Sequence, residues 1–176
     1  MNLSLTIIIP TYNRLEVLEK CLAHINVNSV LPDKVIIVDD GSDPKVHGSI
    51  NTSAYKYNIS IISNKYAKGS SGARNTGILE TETDLIVMID DDVLVDSHFV
   101  EYHKLLHKKY PEINYAVSGR IYFDSSLKRS ALMNYIEEYG ENRWMTKLSE
   151  GEKINNGMIT ANISFKNKFL HKQEHL

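Results

Sequence analysis

From Leu3 to Phe123, short apolar runs alternate with amphipathic stretches of helical spacing. Leu3 to Ile9 is rich in β-branched residues and is closed by Pro10, the pattern of a strand buried on both faces. Asn13 is placed to cap the helix that follows. In that helix Leu15, Leu18, Leu22 and Ile25 recur at helical spacing, and Cys21 joins the same stripe as a small core residue. Val35 to Val38 read as a second strand, stopped by Asp39-Asp40-Gly41-Ser42. Residues 44–56 are polar and are expected to be mostly helical. Ile59 to Ile62 form a third strand, and a loop from Asn64 to Gly72 leads into a helix from Ala73 to about Glu80. Leu85 to Ile89 form a fourth strand, ended by Asp90-Asp91-Asp92. Ser97 starts a helix whose expected apolar face carries Phe99, Tyr102, Leu105 and Leu106, and Tyr115 to Phe123 read as a fifth strand.

This alternation predicts an α/β fold, a Rossmann-like, mainly parallel sheet flanked by helices. In open sheets of this kind ligands bind beyond the carboxyl ends of the strands. The polar clusters Thr11-Tyr12-Asn13, Asp39-Asp40 and Asp90-Asp91-Asp92 fall at three such ends. Parallel strands therefore bring them to one rim. Beyond Phe123 the pattern weakens. Residues 125–148 read as partly helical, with Leu132, Tyr135, Ile136 and Tyr139 on one packing face and Trp144 beside it. Gly157 to Phe165 has the composition of a strand, and Lys166 to Leu176 is polar and basic without an assigned element.

The length of 176 residues fits one domain, and a hydrophobic share of 42% supplies a core. A formal net charge of −2 gives no electrostatic ground for a nucleic-acid partner. The single cysteine excludes a disulfide framework and a cysteine-based zinc site. No basic-then-apolar leader opens the chain, and no run approaches the ~18 apolar residues of a membrane span. A cytoplasmic protein is expected, with peripheral contact at the inner face of the membrane left open.

Three adjacent carboxylates at the end of a buried strand repel one another unless a cation offsets them. Carboxylate oxygens suit hard ions such as Mn2+ or Mg2+. In an extended segment Asp90 and Asp92 face one side and Asp91 the other. An acidic loop capping the helix near Ser97 explains the same residues. Asp39-Asp40-Gly41-Ser42 is a turn signal, yet a buried carboxylate there also suits a base N–H. Lys68-Gly69-Ser70-Ser71-Gly72-Ala73-Arg74-Asn75 runs from a glycine-rich loop into a helix start, which presents free N–H groups to anions, and Arg74 suits a diphosphate or an acidic neighbour. It matches neither a Walker loop nor a dinucleotide fingerprint. His103 and His107 stand four apart but lack the glutamate of a zinc-protease motif, so they read as solvated or partly buried histidines.

In order and spacing, Pro10-Thr11-Tyr12-Asn13-Arg14, Val38-Asp39-Asp40-Gly41-Ser42, Gly72-Ala73-Arg74-Asn75-x-Gly77 and Ile89-Asp90-Asp91-Asp92 resemble four motifs of the inverting family 2 glycosyltransferases of GT-A fold. The resemblance spans about residues 4–123, and Thr160-Ala161-Asn162-Ile163-Ser164-Phe165 resembles the strand before the family's acceptor-side motifs. It implies a nucleotide-sugar-binding α/β region over residues 1–123 and a partial acceptor-side region of the same domain over 124–176. It implies that Pro10, Thr11, Tyr12, Arg14, Asp39, Asp40, Gly72, Arg74, Asp90 and Asp91 surround a nucleoside-diphosphate sugar. Asp92 and Asp90 would hold Mn2+ or Mg2+. The implied reaction moves the sugar to a glycan or lipid-linked hydroxyl in bacterial surface polysaccharide synthesis. The family continues into a Gly-Phe-Asp-Glu-like segment and a Glu-Asp pair carrying the base. Neither occurs here before Leu176, and the setting of Glu174 matches nothing in the pattern. A C-terminally truncated member is therefore expected, and a nucleotide-sugar-binding module without turnover is the alternative. A sugar nucleotidyltransferase would want a glycine-rich, arginine-containing loop directly after the first strand, which Pro10-Thr11-Tyr12-Asn13-Arg14 does not supply.

Overall fold

The structure is a computed structural model and describes residues 3–139 and 159–171. Its strands are β1 (Leu5–Thr11), β2 (Lys34–Asp39), β3 (Asn58–Ser63), β4 (Leu85–Ile89), β5 (Val117–Ser118) and β6 (Asn162–Lys166). Its helices are α1 (Leu15–Asn26), α2 (Ser70–Leu79), α3 (Phe99–Lys109), α4 (Ala131–Tyr139) and α5 (Asn167–His171). One sheet runs in the order β3-β2-β1-β4-β6-β5. The first four strands of that order are parallel, and β6 lies antiparallel to both β4 and β5. This is the arrangement expected from the sequence, a mostly parallel sheet flanked by helices.

The period of two along each strand sorts side chains between two cores. Leu5, Ile7 and Ile9, with Val35, Ile37, Leu85, Val87 and Ile89, face the side covered by Leu18, Cys21, Leu22 and Ile25 of α1 and Phe99 and Val100 of α3. Ile8, Ile36, Val38, Ile86 and Met88 face the other side, with Ala73 of α2 and Ile163 and Phe165 of β6. Gly77 lets α2 lie close on this second face, because a Cβ there would stand 2.5 Å from Ile8 Cγ2.

Several sequence expectations are corrected. Pro10 does not close β1, which runs on to Thr11 with Pro10 opposite Val38. The proline is tolerated because the Thr11 carbonyl points to β2, where it accepts Asp40 N–H at 2.9 Å. The missing N–H of its neighbour therefore faces the β4 side, beyond the last β1–β4 pair at Ile8 and Met88. Asn13 is not a cap: it sits at φ 54°, a left-handed conformation that asparagine tolerates, and its Oδ1 accepts Asp43 N–H at 2.8 Å. Residues 44–56 are not mostly helical; only Thr52–Ala54 makes a 3-10 turn. Pro44 and Gly48, the latter at φ +87°, interrupt the segment, while Val46 and Ile50 are drawn into the core. Helix α2 begins at Ser70, three residues before the expected Ala73, and the fifth strand shrinks to two residues.

The buried stripe of α3 also differs. Phe99, Val100, His103 and His107 face inward, whereas Tyr102 and Leu105 are about half exposed. The two histidines are thus fully buried core residues, further in than the solvated or partly buried reading placed them. Leu132, Tyr135, Ile136 and Tyr139 are exposed on α4 and do not form a packing face among the described residues. Trp144, Gly157 and Glu174 lie outside the described residues. Among the described residues no helix is long and apolar enough to cross a membrane.

Candidate functional site

Chain progression from β1 to β2 to β3 moves outward in one direction, and β4 then returns to the other flank of β1. The switch point between β1 and β4 is where open α/β sheets bind ligands. Here β1 extends to Thr11 while its pairing with β4 ends at Ile8, so the two strand ends part and leave polar side chains between them.

Those side chains are tied to one another. Thr11 Oγ1 donates to Asp91 Oδ2 at 2.7 Å across the gap. Arg14 reaches Asp91 Oδ1 at 3.0 Å and Asp92 Oδ2 at 2.8 Å, and Arg74 of α2 pairs with Asp90 Oδ1. The acidic triplet does not divide by the period of a strand: β4 ends at Ile89, Val93 N–H turns back to the Asp90 carbonyl at 3.2 Å, and the buried Asp91 shares Arg14 with Asp92 while Asp90 pairs with Arg74. Burial pushes the Asp91 carboxyl up, and the Thr11 hydroxyl and the Arg14 guanidinium only partly counter this. The hydrogen bond to Asp92 is the main reason that the Arg14 pKa rises.

Asp39 and Asp40 have different work. Asp39 accepts Ser42 N–H at 2.8 Å and Val46 N–H at 3.1 Å, so it braces the loop after β2. Burial alone would raise its carboxyl, but the Ser42 hydroxyl and the amides of Ser42, Val46 and Gly41 bind the charged form and hold it below the usual range. Asp40 accepts Asn64 Nδ2 at 2.6 Å and Gly69 N–H at 2.8 Å. It therefore ties the end of β2 to the loop that enters α2.

Three contributors, named only as parts of loops and motifs in the sequence reading, were given no role of their own there. Asn64, directly after β3, bridges Asp40 to Thr76, whose hydroxyl donates to Asn64 Oδ1 at 3.0 Å. Lys68 places its ammonium 3.7 Å from the centroid of the half-exposed Tyr12 ring. Ser42 accepts Asn13 N–H at 2.9 Å and so joins the loops after β1 and β2. Asn64 was detectable as a polar residue at another strand end of the same rim, whereas the partners of Lys68 and Ser42 lie far away in sequence. Gly72 is explained by close approach, since a Cβ there would meet the Ala67 carbonyl at 2.6 Å.

Among the described residues no group of three or more His, Cys, Asp or Glu is arranged to hold a metal ion alone. Small hard cations bound with a diphosphate take only one or two carboxylates and complete their shell with phosphate oxygens and water. Asp90 and Asp92 have side chains 38% and 52% exposed, and their ion pairs use one oxygen each. A second observation concerns anions. The Arg74 side chain is only 12% exposed, and its Nε is buried without a hydrogen-bond partner. An unsatisfied guanidinium N–H is costly, and a phosphate oxygen would satisfy it. The residues present fit a diphosphate with its cation.

Comparison with known proteins gives the fold and the family. GlyA, a glycosyltransferase of Streptococcus pneumoniae, is 30% identical over 139 residues, covering 78% of this chain and 19% of GlyA. The structure of Staphylococcus aureus TarS 1–349 superposes with TM-score 0.72 at 14% identity, covering 97% of this chain and 49% of that one. The mannosyltransferase PcManGT of Pyrobaculum calidifontis, solved with GDP-Man and Mn2+, gives TM-score 0.66 at 18% identity, covering 99% of this chain and 47% of that one. The chain spans about a fifth to a third of the length of three curated relatives it matches. The glycosyl transferase family 2 model matches residues 6–172, and the chain belongs to that family.

Proposed function

We propose that the rim binds a nucleoside-diphosphate sugar with Mn2+ or Mg2+, as the donor half of an inverting transfer to an acceptor hydroxyl. The observation that carries this reading is the linkage of Thr11, Arg14, Asp40, Arg74 and Asp90-Asp91-Asp92 around the β1–β4 switch point. Two structural neighbours support it: PcManGT is described with GDP-Man and Mn2+, and TarS 1–349 with UDP-GlcNAc.

In this reading Pro10, Thr11 and the Tyr12 ring line the nucleoside. Asp40 receives a base N–H on lone pairs left over from Asn64 and Gly69, since a carboxylate offers about four such sites. Asp39 and Gly72 act through the loops they shape. The first amides of α2 and the Arg74 Nε face the diphosphate. Asp92 and Asp90 hold the cation, and Asp91 braces Thr11 and Arg14 from below. A bound cation supplies positive charge where the diphosphate leaves. Arg14 and Arg74 add to that charge once phosphate oxygens replace their more exposed partners Asp92 and Asp90, while the buried Asp91 keeps its hold on Arg14. The Arg14–Asp92 pair is about half exposed, and such pairs are worth about 0–1 kcal/mol, so the exchange costs little. The acceptor base is assigned to no described residue. We place the donor over residues 1–123 and the acceptor beside 124–176, and we assign the acceptor as a glycan or lipid-linked hydroxyl of a bacterial surface polymer.

Calorimetry with UDP and GDP, with and without Mn2+, tests the reading. A metal-dependent gain for one nucleotide supports it, and equal weak binding of both in all conditions contradicts it. Adding acceptor then distinguishes an enzyme, which releases nucleoside diphosphate, from a module that binds without turnover.

A further inference from the structure

His103 and His107 of α3 form a buried polar row with Asn162 and Ser164 of β6, and donor binding makes no use of it. The ends of the row fix its direction. Lys166 Nζ, an ammonium that only donates, lies 3.1 Å from His107 Nδ1 and also donates to the Tyr110 carbonyl at 2.8 Å. His107 Nδ1 is therefore the acceptor, and Nε2–H donates to Ser164 Oγ at 2.8 Å. The Ser164 hydroxyl must then donate onward to His103 Nδ1, at 2.7 Å. That leaves the His103 proton on Nε2, which donates to Asn162 Oδ1 at 3.1 Å. Asn162 Nδ2 donates in turn to the Arg120 carbonyl at 3.3 Å, a group that only accepts. A flipped Asn162 carboxamide would set oxygen against oxygen there.

The row ends beside the acidic triplet. Asn162 pairs with Ile89, the residue before Asp90, and its backbone carbonyl accepts Gly119 N–H at 3.0 Å. A Cβ on Gly119 would stand 2.2 Å from Asn162 Nδ2, so the Gly119–Arg120 backbone packs directly on this carboxamide.

We propose that His103 and His107 are positioning residues: acting through Ser164, they hold the Asn162 carboxamide in one orientation and so pin the Gly119–Arg120 backbone on the far side of β6, level with the end of β4. The inference stands on the hydrogen-bond geometry and is independent of the donor reading. It also gives a physical role to the Asn162-Ile163-Ser164 motif. Burial pushes both imidazoles down to about 4, so both are neutral at neutral pH, as the directed row requires. The charged groups acting on them do not change this: Asp96 favours a charged His103, and Lys166 opposes a charged His107.

Nitrogen-15 NMR of the histidines in the full chain tests the direction. Both rings are expected as neutral Nε2–H tautomers throughout the neutral pH range. An Nδ1–H tautomer on either ring overturns the proposal. Amide exchange tests the positioning. His103→Leu is expected to speed exchange at Gly119 about tenfold relative to amides of β2, the scale of one lost hydrogen bond. His103→Gln keeps exchange near the native rate, because its carboxamide can accept from Ser164 and donate to Asn162. Equal exchange in the two variants overturns the positioning role. If His103→Leu does not fold, the native tautomers and the exchange of His103→Gln decide, and a tenfold rise in His103→Gln counts against it.

Discussion

The acidic rim and the buried histidine row lie within one residue of each other along β4 and β6, yet they are built on opposite principles. The rim is charged, partly open and paired arginine to aspartate, so its contacts can be traded for a ligand's. The row is neutral, closed and directed, so none of its members can change partner without leaving a donor facing a donor. The side chains proposed to bind are left exchangeable, and the backbone beside them is held by groups that cannot exchange. Water access decides which is which, because an unpaired polar group is costly only where solvent cannot reach it.

Acid should break the row before the rim, and with the largest effect. The two imidazoles sit at about 4 when folded against an ordinary 6.5. Between those values the unfolded chain binds protons that the folded chain refuses, so stability falls as pH drops through the window and levels below it. The scale is about 3 kcal/mol per histidine. Asp91, held above the usual range, works in the opposite direction at the acid end. Urea titrations from pH 7 to 4 measure the slope, and its persistence in the His103→Gln, His107→Gln double variant would assign it elsewhere.

Asp92→Ala should do the reverse, leaving the fold intact and removing the metal-dependent gain in nucleotide affinity. We expect a loss of about 100-fold by calorimetry. Gly77→Ala disturbs the packing of α2 on β1, because its methyl group overlaps Ile8 at 2.5 Å. A cost of about 1–3 kcal/mol in chemical denaturation follows, with unchanged histidine tautomers. Arg14→Ala gives the smallest and most specific effect. Freed of its guanidinium, Asp92 should bind Mn2+ alone several-fold more tightly, while nucleoside diphosphate binds several-fold more weakly. Shifts of the same sign for both ligands would remove the exchange from the account.

The sequence made the rim legible and the row invisible, and the reason is local versus distant partnership. Leu85–Ile89 followed by Asp90 shows by itself where a buried strand ends and what stands there, and the same holds for Val38-Asp39-Asp40. His103 was misread because apolar residues alone placed the α3 stripe on Tyr102, Leu105 and Leu106, beside the one that is buried, and its partners Asn162 and Ser164 lie about 60 residues away. Pro10 and Asn13 were misread for a related reason. The proline is permitted by where the neighbouring strand stops, and the asparagine is claimed by Asp43 across the rim. Residues 44–56 looked helical by polarity, but the Asp39 carboxylate captures the amides of Ser42 and Val46 and folds the segment as a loop.

Paramagnetic broadening by Mn2+ in the presence of the preferred nucleoside diphosphate tests the shared site most directly. Amide signals near Asp90–Asp92, Tyr12–Arg14, Asp40 and Gly69–Arg74 should all fade together at substoichiometric metal, and nucleotide should sharpen the pattern. Broadening confined to the aspartate triplet, with Asp40 and the start of α2 unaffected, would contradict a single cation–diphosphate site at the β1–β4 switch point.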